Sequence, residues 1–96
     1  MLMSSRASLI LTAPERTLHR LCKHFSHKVT TEWQGAKGQV DFTVGACTLN
    51  ATEQQLQLTC WARSCNGLRE IEQTLERHIG PLSGQGQNPP KLIWQR

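Results

Sequence analysis

The 96-residue sequence has no long hydrophobic run and no excess of glycine or proline. Its longest uninterrupted apolar stretch is Leu9 to Leu11, far short of the roughly 20 residues that cross a bilayer. Seven glycines and four prolines are too few for a fibrous chain, and 38% hydrophobic residues are too many for a disordered tail. These absences predict a single folded domain that does not span a membrane.

The sequence also does not predict a secretory segment. Arg6 precedes an apolar stretch at residues 7–13, but Ser8 and Thr12 interrupt it and a charged pair follows at once. We therefore expect a cytoplasmic protein. Its four cysteines are then expected to be reduced thiols or metal ligands rather than disulfides; they are Cys22, Cys47, Cys60 and Cys65.

Motifs of known catalytic sites are absent as well. The sequence contains no Gly-x-Ser-x-Gly, no phosphate-binding loop and no dinucleotide fingerprint. Glu70, Glu72 and Glu76 are expected on a solvated helix face, where Arg69 and Arg77 balance their charge. Cys65 has no histidine near it in the sequence. The sequence therefore gives no indication of an enzyme.

Hydrophobic periodicity predicts secondary structure in the first half of the chain. Residues 7–12 alternate as a short strand, and a helix is expected from Pro14, after an N-cap at Thr12 or Ala13, to near Lys28. The helix buries Leu18, Leu21, Cys22 and Phe25 along one stripe. Residues 29–33 read as a second strand, residues 35–38 as a hairpin loop, and residues 40–44 as a third strand.

Two further strands, at residues 47–51 and 56–62, are predicted to form a hairpin around a four-residue loop at 52–55. With that loop, Ala51 faces Leu56, Leu49 faces Leu58, and Cys47 faces Cys60. Every inward position then has an inward partner. The pattern therefore predicts both the hairpin and its register.

The second half of the chain predicts a helix, a loop and a short strand. Ser64 is suited to cap a helix that Gly80-Pro81 is expected to stop. The domain organisation is then a flexible N-terminus at 1–6, a domain at 7–82, a flexible Gly/Pro-rich loop at 83–90, and a strand at 91–96.

The element order β-α-β-β-β-β-α-β predicts an α+β two-layer sandwich, a mostly antiparallel sheet with two helices on one face. The other sheet face is left open and includes Trp61, Ile10 and Ile93 among polar residues such as Thr43, Gln57 and Thr59. A homodimer through this face is one interpretation; the alternative is that Trp61 only covers its neighbours.

The richest group of candidate ligands lies in the segment from Leu21 to Lys28. His24 and His27 are spaced i, i+3 on the predicted helix, and Cys22 lies on its buried stripe. Cys47, Cys60 or His78 could complete a zinc or iron site, because imidazole and thiolate bind both metals. The alternative is that the cysteines are small core residues and the histidines lie at the core boundary.

The predicted first helix also presents a basic face. Arg16, Arg20, Lys23 and His27 lie close together opposite the apolar stripe, and the net charge is +4. Such a row could bind the phosphates of a nucleic acid, although nucleic-acid binding usually shows a denser basic stripe, or it could bind a protein partner. The alternative is an ordinary solvated helix face.

Several of these segments resemble a known family. Residues 13–28, which contain Leu-Cys-Lys-His-Phe-Ser-His-Lys, together with Gly-Gln-Val-Asp-Phe at 38–42, Gly-Ala-Cys-Thr-Leu at 45–49 and His78, are similar to the bacterial domain of unknown function family 2218. The resemblance covers roughly residues 7–95. It implies a small bacterial α+β domain without an established activity, and an association with siderophore-interacting flavin reductases that hints at iron handling.

Two functions follow from these observations. The first is an accessory or binding domain linked to iron or siderophore metabolism, with a ligand or metal site formed by His24, His27, Cys47, His78 and Cys22. The second is a basic interaction module that binds nucleic acid or a protein through Arg16, Arg20 and Lys23.

Overall fold

The computed structural model describes residues 2–83 and 92–96, and in these residues it has five strands and two helices. The strands are β1 (Met3–Ile10), β2 (Thr30–Gln34), β3 (Lys37–Phe42), β4 (Gly45–Ala51) and β5 (Gln55–Ala62), and the helices are α1 (Pro14–Phe25) and α2 (Cys65–Ser83). The strands form one antiparallel sheet in the order β1-β5-β4-β3-β2.

Both helices cover the same face of the sheet, which is the predicted α+β sandwich. Helix α1 packs on β2, β3 and β4, α2 packs on β5, β4 and β1, and the two helices contact each other. The core lies between the two layers and is built from the inward residues of each element. Neither helix in the described part of the chain is long and apolar enough to cross a membrane.

The β4–β5 hairpin has the predicted register. Cys47 pairs with Cys60, Leu49 with Leu58, and Ala51 with Leu56. All six side chains are buried. A one-residue slip would turn each of them to the opposite face, so the burial itself specifies the pairing.

The β2–β3 loop is shorter than predicted. It consists of Gly35 and Ala36, and β3 begins at Lys37 rather than after residue 38. Gly35 has a φ of 58°. A positive φ at the first position of a two-residue hairpin loop favours glycine, so the turn can be this tight.

The first strand starts earlier than predicted. Residues 3–6, expected as part of a flexible N-terminus, pair with residues 59–62 of β5. The apolar alternation ends at Ser5, which is buried although it is polar. Because a small serine can take an inward position, the strand continues where the hydrophobic pattern stops.

Three other boundaries differ from the prediction. Helix α1 ends at Phe25 instead of near Lys28, and residues 26–28 form a turn that leads into β2. Val44, predicted in a strand, lies in the turn between β3 and β4. Gly80-Pro81 does not stop α2, which ends at Ser83. Pro81 has no N–H to donate and its ring crowds the carbonyl one turn earlier, but it lies only two residues from the end of α2, so this cost falls on the last turn alone.

The predicted C-terminal strand at 91–96 is reduced to one antiparallel bridge between Gln95 and Arg6. The predicted loop at 83–90 lies outside the described residues except for Ser83, which is the last residue of α2. Lys91 lies outside them too.

The open sheet face has the exposed apolar residues that the pattern predicts. Ile10 is 74% exposed and Ile93 is 76% exposed, while Trp61 and Thr59 are half-buried. A homodimer through this face stays a prediction.

Candidate ligand-binding site

The C-terminal half of α1 presents a buried aromatic ring next to an exposed imidazole. Phe25 belongs to the apolar stripe of the helix and is buried, together with Leu21 and Cys22. Consecutive helical residues point about 100° apart, so His24 lies at the edge of that stripe and is exposed.

His78 of α2 approaches this edge from the other helix. Its ring centroid lies 4.7 Å from that of His24 and 5.3 Å from that of Phe25. Phe25 also packs edge-on against Phe42 of β3, at 5.4 Å. Two helices and one strand thus bring four rings into a continuous cluster.

A hollow of about 260 Å³ opens beside these rings. It is lined by His24, Phe25, Lys28, Val29, Phe42, Thr74, Arg77 and His78. We call it the His24–His78 hollow. Its floor is aromatic and aliphatic, and its charged lining residues are the cations Lys28 and Arg77, with no carboxylate among the described lining residues.

Thr74 orients two of the polar side chains in the hollow. Nδ1 of His78 lies 2.7 Å from the Thr74 carbonyl oxygen, which can only accept, so Nδ1 carries the proton. Nη2 of Arg77 donates to the Thr74 hydroxyl at 3.3 Å. In neutral His78, Nε2 is therefore an acceptor without a proton.

The cysteine sulfurs lie elsewhere, inside the core. Cys22, Cys47 and Cys60 are fully buried. Burial raises the pKa of the Cys22 thiol to about 11. A hydrogen bond with the Cys60 side chain, and burial, raise the pKa of Cys47 well above its ordinary range. The thiols of Cys22 and Cys47 are therefore neutral core groups at physiological pH.

The predicted site residues separate into two groups. The structure brings His24 and His78 together, whereas Cys22 and Cys47 lie beneath the hydrophobic surface and do not line the hollow. His27 lies in the turn after α1, because the helix ends at Phe25, and it does not line the hollow either. Over residues 2–83 and 92–96, no three His, Cys, Asp or Glu side chains form a group that could hold a metal ion.

Three of the four residues of the predicted basic face lie on α1, and the fourth, His27, lies in the turn after it. Arg16, Arg20 and Lys23 are all exposed. None of them forms a salt bridge with a described residue.

Glu72 is not the surface charge that the sequence predicts. It is 1% exposed, and its Oε1 accepts from Arg96 at 3.0 Å and from Arg69 at 3.5 Å. Residues 92–96 lie over this part of α2, and Trp94 donates to Glu76 at 2.8 Å. The burial of Glu72 therefore depends on a segment that is distant in the sequence.

Sequence analysis assigned only His24 and His78, of the eight lining residues, to a site. Phe25, Lys28 and Val29 lie within the histidine-rich segment or directly after it, so their proximity to it could have been found. Phe42, Thr74 and Arg77 come from β3 and α2. Only the packing of these elements against α1 places them there.

Comparisons with known proteins agree with this architecture. The chain resembles the protein PA4090 from Pseudomonas aeruginosa, whose NMR structure superposes with a TM-score of 0.81 at 22% sequence identity, over 96% of this chain and 94% of that one. At this identity the similarity establishes the fold alone. No curated protein matches the chain.

The class is therefore a small α+β sandwich shared with a bacterial protein of known structure. The family profile of DUF2218, described as an uncharacterized protein conserved in bacteria, matches residues 6–95. The chain belongs to this family.

Proposed function

We propose that the chain is a binding module that holds a small anionic molecule in the His24–His78 hollow. The observation that carries this proposal is the imidazole pair beside Phe25, flanked by two cations and no carboxylate among the described lining residues. Aromatic surfaces bury the apolar part of a ligand, and a guanidinium or ammonium group binds its anionic part.

The size of the hollow limits the ligand. At about 260 Å³ it lies just below the usual range of small-molecule sites. A molecule with a single ring, or a small polycarboxylate, suits this volume. A larger ligand would have to insert one arm and leave the remainder on the surface.

An anionic iron chelate is the finer form of the proposal, and it follows the resemblance to domains associated with siderophore-interacting reductases. The 4.7 Å separation of the His24 and His78 rings supports it, because two adjacent imidazoles can fill positions that a chelate leaves open on iron. Cys22 and Cys47 have no part in this form of the site. We also propose a cytoplasmic location, since four free thiols suit a reducing compartment.

The test is an NMR titration of the isotope-labelled protein, in which the imidazole signals of His24 and His78 are recorded as the ligand is added. Benzoate and citrate are the two anionic probes. We expect both signals to shift, and Arg77→Gln to weaken binding by about five-fold or more, since a charge-assisted hydrogen bond is lost. The matched control is Arg63→Gln, because Arg63 is exposed and does not line the hollow.

Two outcomes would contradict the proposal. One is that neither anion moves the histidine signals at millimolar concentration; the other is equal weakening by Arg77→Gln and Arg63→Gln. Equilibrium dialysis with ferric citrate tests the finer form. We expect ferric citrate to bind more tightly than citrate alone, and the two affinities to become equal in a His24→Gln/His78→Gln variant.

The basic face supports a second candidate function, binding of nucleic acid or of an acidic protein. The supporting observation is that Arg16, Arg20 and Lys23 are exposed together without a salt bridge to a described residue. We expect the protein to bind an oligonucleotide at low salt and to lose this binding as the salt concentration rises to the physiological level. A variant that carries Arg16→Gln, Arg20→Gln and Lys23→Gln should not bind at low salt either. Absence of binding at low salt would exclude nucleic acid.

A further inference from the structure

We infer that the His24–His78 hollow selects a small hydroxyaryl acid, a ring that carries both an anionic group and a hydroxyl. The hydroxyl donates to Nε2 of His78, and the anionic group binds Arg77 and Lys28. This inference rests on the proposed function and names the ligand class of the same site.

The protonation state of His78 carries the first step of the argument. Its Nδ1 donates to the Thr74 carbonyl oxygen at 2.7 Å. In the neutral ring, Nε2 is then an acceptor whose lone pair repels a carboxylate oxygen. A ligand group that contacts Nε2 of the neutral ring favourably has to be a donor, and a hydroxyl is a suitable one.

The second step is that one residue orients both recognition groups. The Thr74 carbonyl holds the imidazole of His78, and the Thr74 hydroxyl accepts from Nη2 of Arg77 at 3.3 Å. The same hydroxyl donates to the Glu70 carbonyl at 2.8 Å. Acceptor and cation are therefore held side by side on one helical turn, so a ligand needs a donor and an anion close together.

The third step concerns the body of the ligand. Phe25 contacts both Phe42 and His78 edge-on, with centroids 5.4 and 5.3 Å apart. Aromatic pairs favour such edge-to-face geometry, and a flat ring can extend the cluster in the same way. A single aromatic ring with two substituents also suits the volume of about 260 Å³.

The experiment compares benzoate with 2-, 3- and 4-hydroxybenzoate at about pH 7.5, by the imidazole-detected titration described above. We expect at least one hydroxybenzoate to bind about five-fold or more tightly than benzoate, the value of one additional hydrogen bond. His78→Phe keeps a ring but removes Nε2, so the hydroxybenzoates should lose this advantage over benzoate. His27→Phe, outside the hollow, should leave the preference unchanged.

The outcomes separate the two proposals. If benzoate binds in the hollow but no hydroxybenzoate binds more tightly, or if His78→Phe retains the preference, this inference is overturned and the proposed function stands. If none of the four acids perturbs the His24 or His78 signals, and citrate also fails to do so, the proposed function fails with it.

Discussion

At the scale of single residues, burial divides the cysteines into two kinds. Cys22, Cys47 and Cys60 are fully buried, whereas Cys65 is exposed at the first position of α2. Only a thiolate is nucleophilic, and both burial and a raised pKa reduce the thiolate fraction. The reactivity of each thiol therefore reports whether the core is closed.

Iodoacetamide at about pH 8 should modify Cys65 alone in the native protein and all four cysteines after denaturation. Mass spectrometry of the peptides gives the positions. Cys65→Ser is the matched variant and should remain unlabelled while folded. Labelling of Cys22 or Cys47 as fast as that of Cys65 would show that the core opens.

The raised pKa of Cys22 predicts a loss of stability in alkali. Its thiol ionises at about 11 in the folded chain and at its ordinary value of 9.0 when exposed by unfolding. The unfolded state therefore releases the proton first, and the free energy of unfolding is constant below about pH 9 and falls as the pH rises towards about 11. Measured by urea denaturation, the free energy of unfolding should fall more steeply across this pH range in the wild-type protein than in Cys22→Ala. Equal slopes would refute the raised pKa of Cys22.

Glu72 offers a contrast between breaking and replacing a buried charge. Arg96→Gln leaves the carboxylate with Arg69 alone and should lower the free energy of unfolding by about 1–2 kcal/mol, whereas Glu72→Met removes the buried charge and should change it by less than about 1 kcal/mol. Oε2 of Glu72 has no hydrogen-bond partner among the described residues, which strengthens this expectation. Denaturant unfolding measures both variants, and Arg63→Gln serves as the surface control. A larger loss in Glu72→Met than in Arg96→Gln would contradict it.

At the scale of the elements, Gly38 sets the distance between α1 and β3. A methyl group at this position would lie 2.7 Å from Sγ of Cys22 and 3.3 Å from Cδ2 of Leu18. Both are fully buried side chains of α1. The close approach of helix and strand therefore requires glycine at residue 38.

Gly38→Ala should cost about 1–3 kcal/mol of stability, the usual cost of overpacking. In the double variant Gly38→Ala/Cys22→Ala, truncation of Cys22 makes room for the added methyl group. The double variant should therefore lose less stability than the sum of the losses in the two single variants. Denaturant unfolding of the four proteins in this cycle is the measurement. Strict additivity would mean that the methyl group does not meet Cys22.

Elements whose pattern is local could be predicted, and contacts between distant elements could not. The β4–β5 register follows from apolar alternation on both sides of one polar turn, and both helix starts follow from local signals at Pro14 and Ser64. Ser64 indeed accepts from the Gly67 amide at 3.0 Å. Ser5 and Glu72 broke the pattern because each is a polar residue that other segments bury.

The candidate site shows the same limit. Periodicity correctly placed Cys22 inside and His24 at the edge of the helix. It could not show that α2 brings His78 to His24 or that β3 adds Phe42, because those contacts depend on how the elements pack. Residue types predict that histidines and cysteines share one site. In the structure the cysteines lie in the core and the two histidines line the hollow.

At the scale of the whole molecule, residues 92–96 connect the helical layer to the first edge of the sheet. Gln95 exchanges two backbone hydrogen bonds with Arg6, each 2.8 Å long. Trp94 and Arg96 reach Glu76 and Glu72 on α2. The C-terminal segment therefore partly covers the edge of β1, which unpaired strands expose to association.

A Trp94→Ala/Arg96→Ala variant should loosen this segment more than the sheet centre. We expect hydrogen exchange to accelerate more at the Arg6 amide, whose acceptor is Gln95, than at Leu49 and Ala51 of β4. Exchange measured by NMR tests this. Equal acceleration at all these amides would indicate global destabilisation instead.

The strand order has a consequence for how the chain acquires its fold. Strands β2 to β5 follow one another as neighbours, so this meander can assemble through short loops, but Met3 finds its partner only at Ala62 and Ile10 only at Gln55. Closing so long a loop is entropically costly and slow. During synthesis on a ribosome, β1 emerges before its partner and must wait, unpaired, until residues 55–62 have also been made.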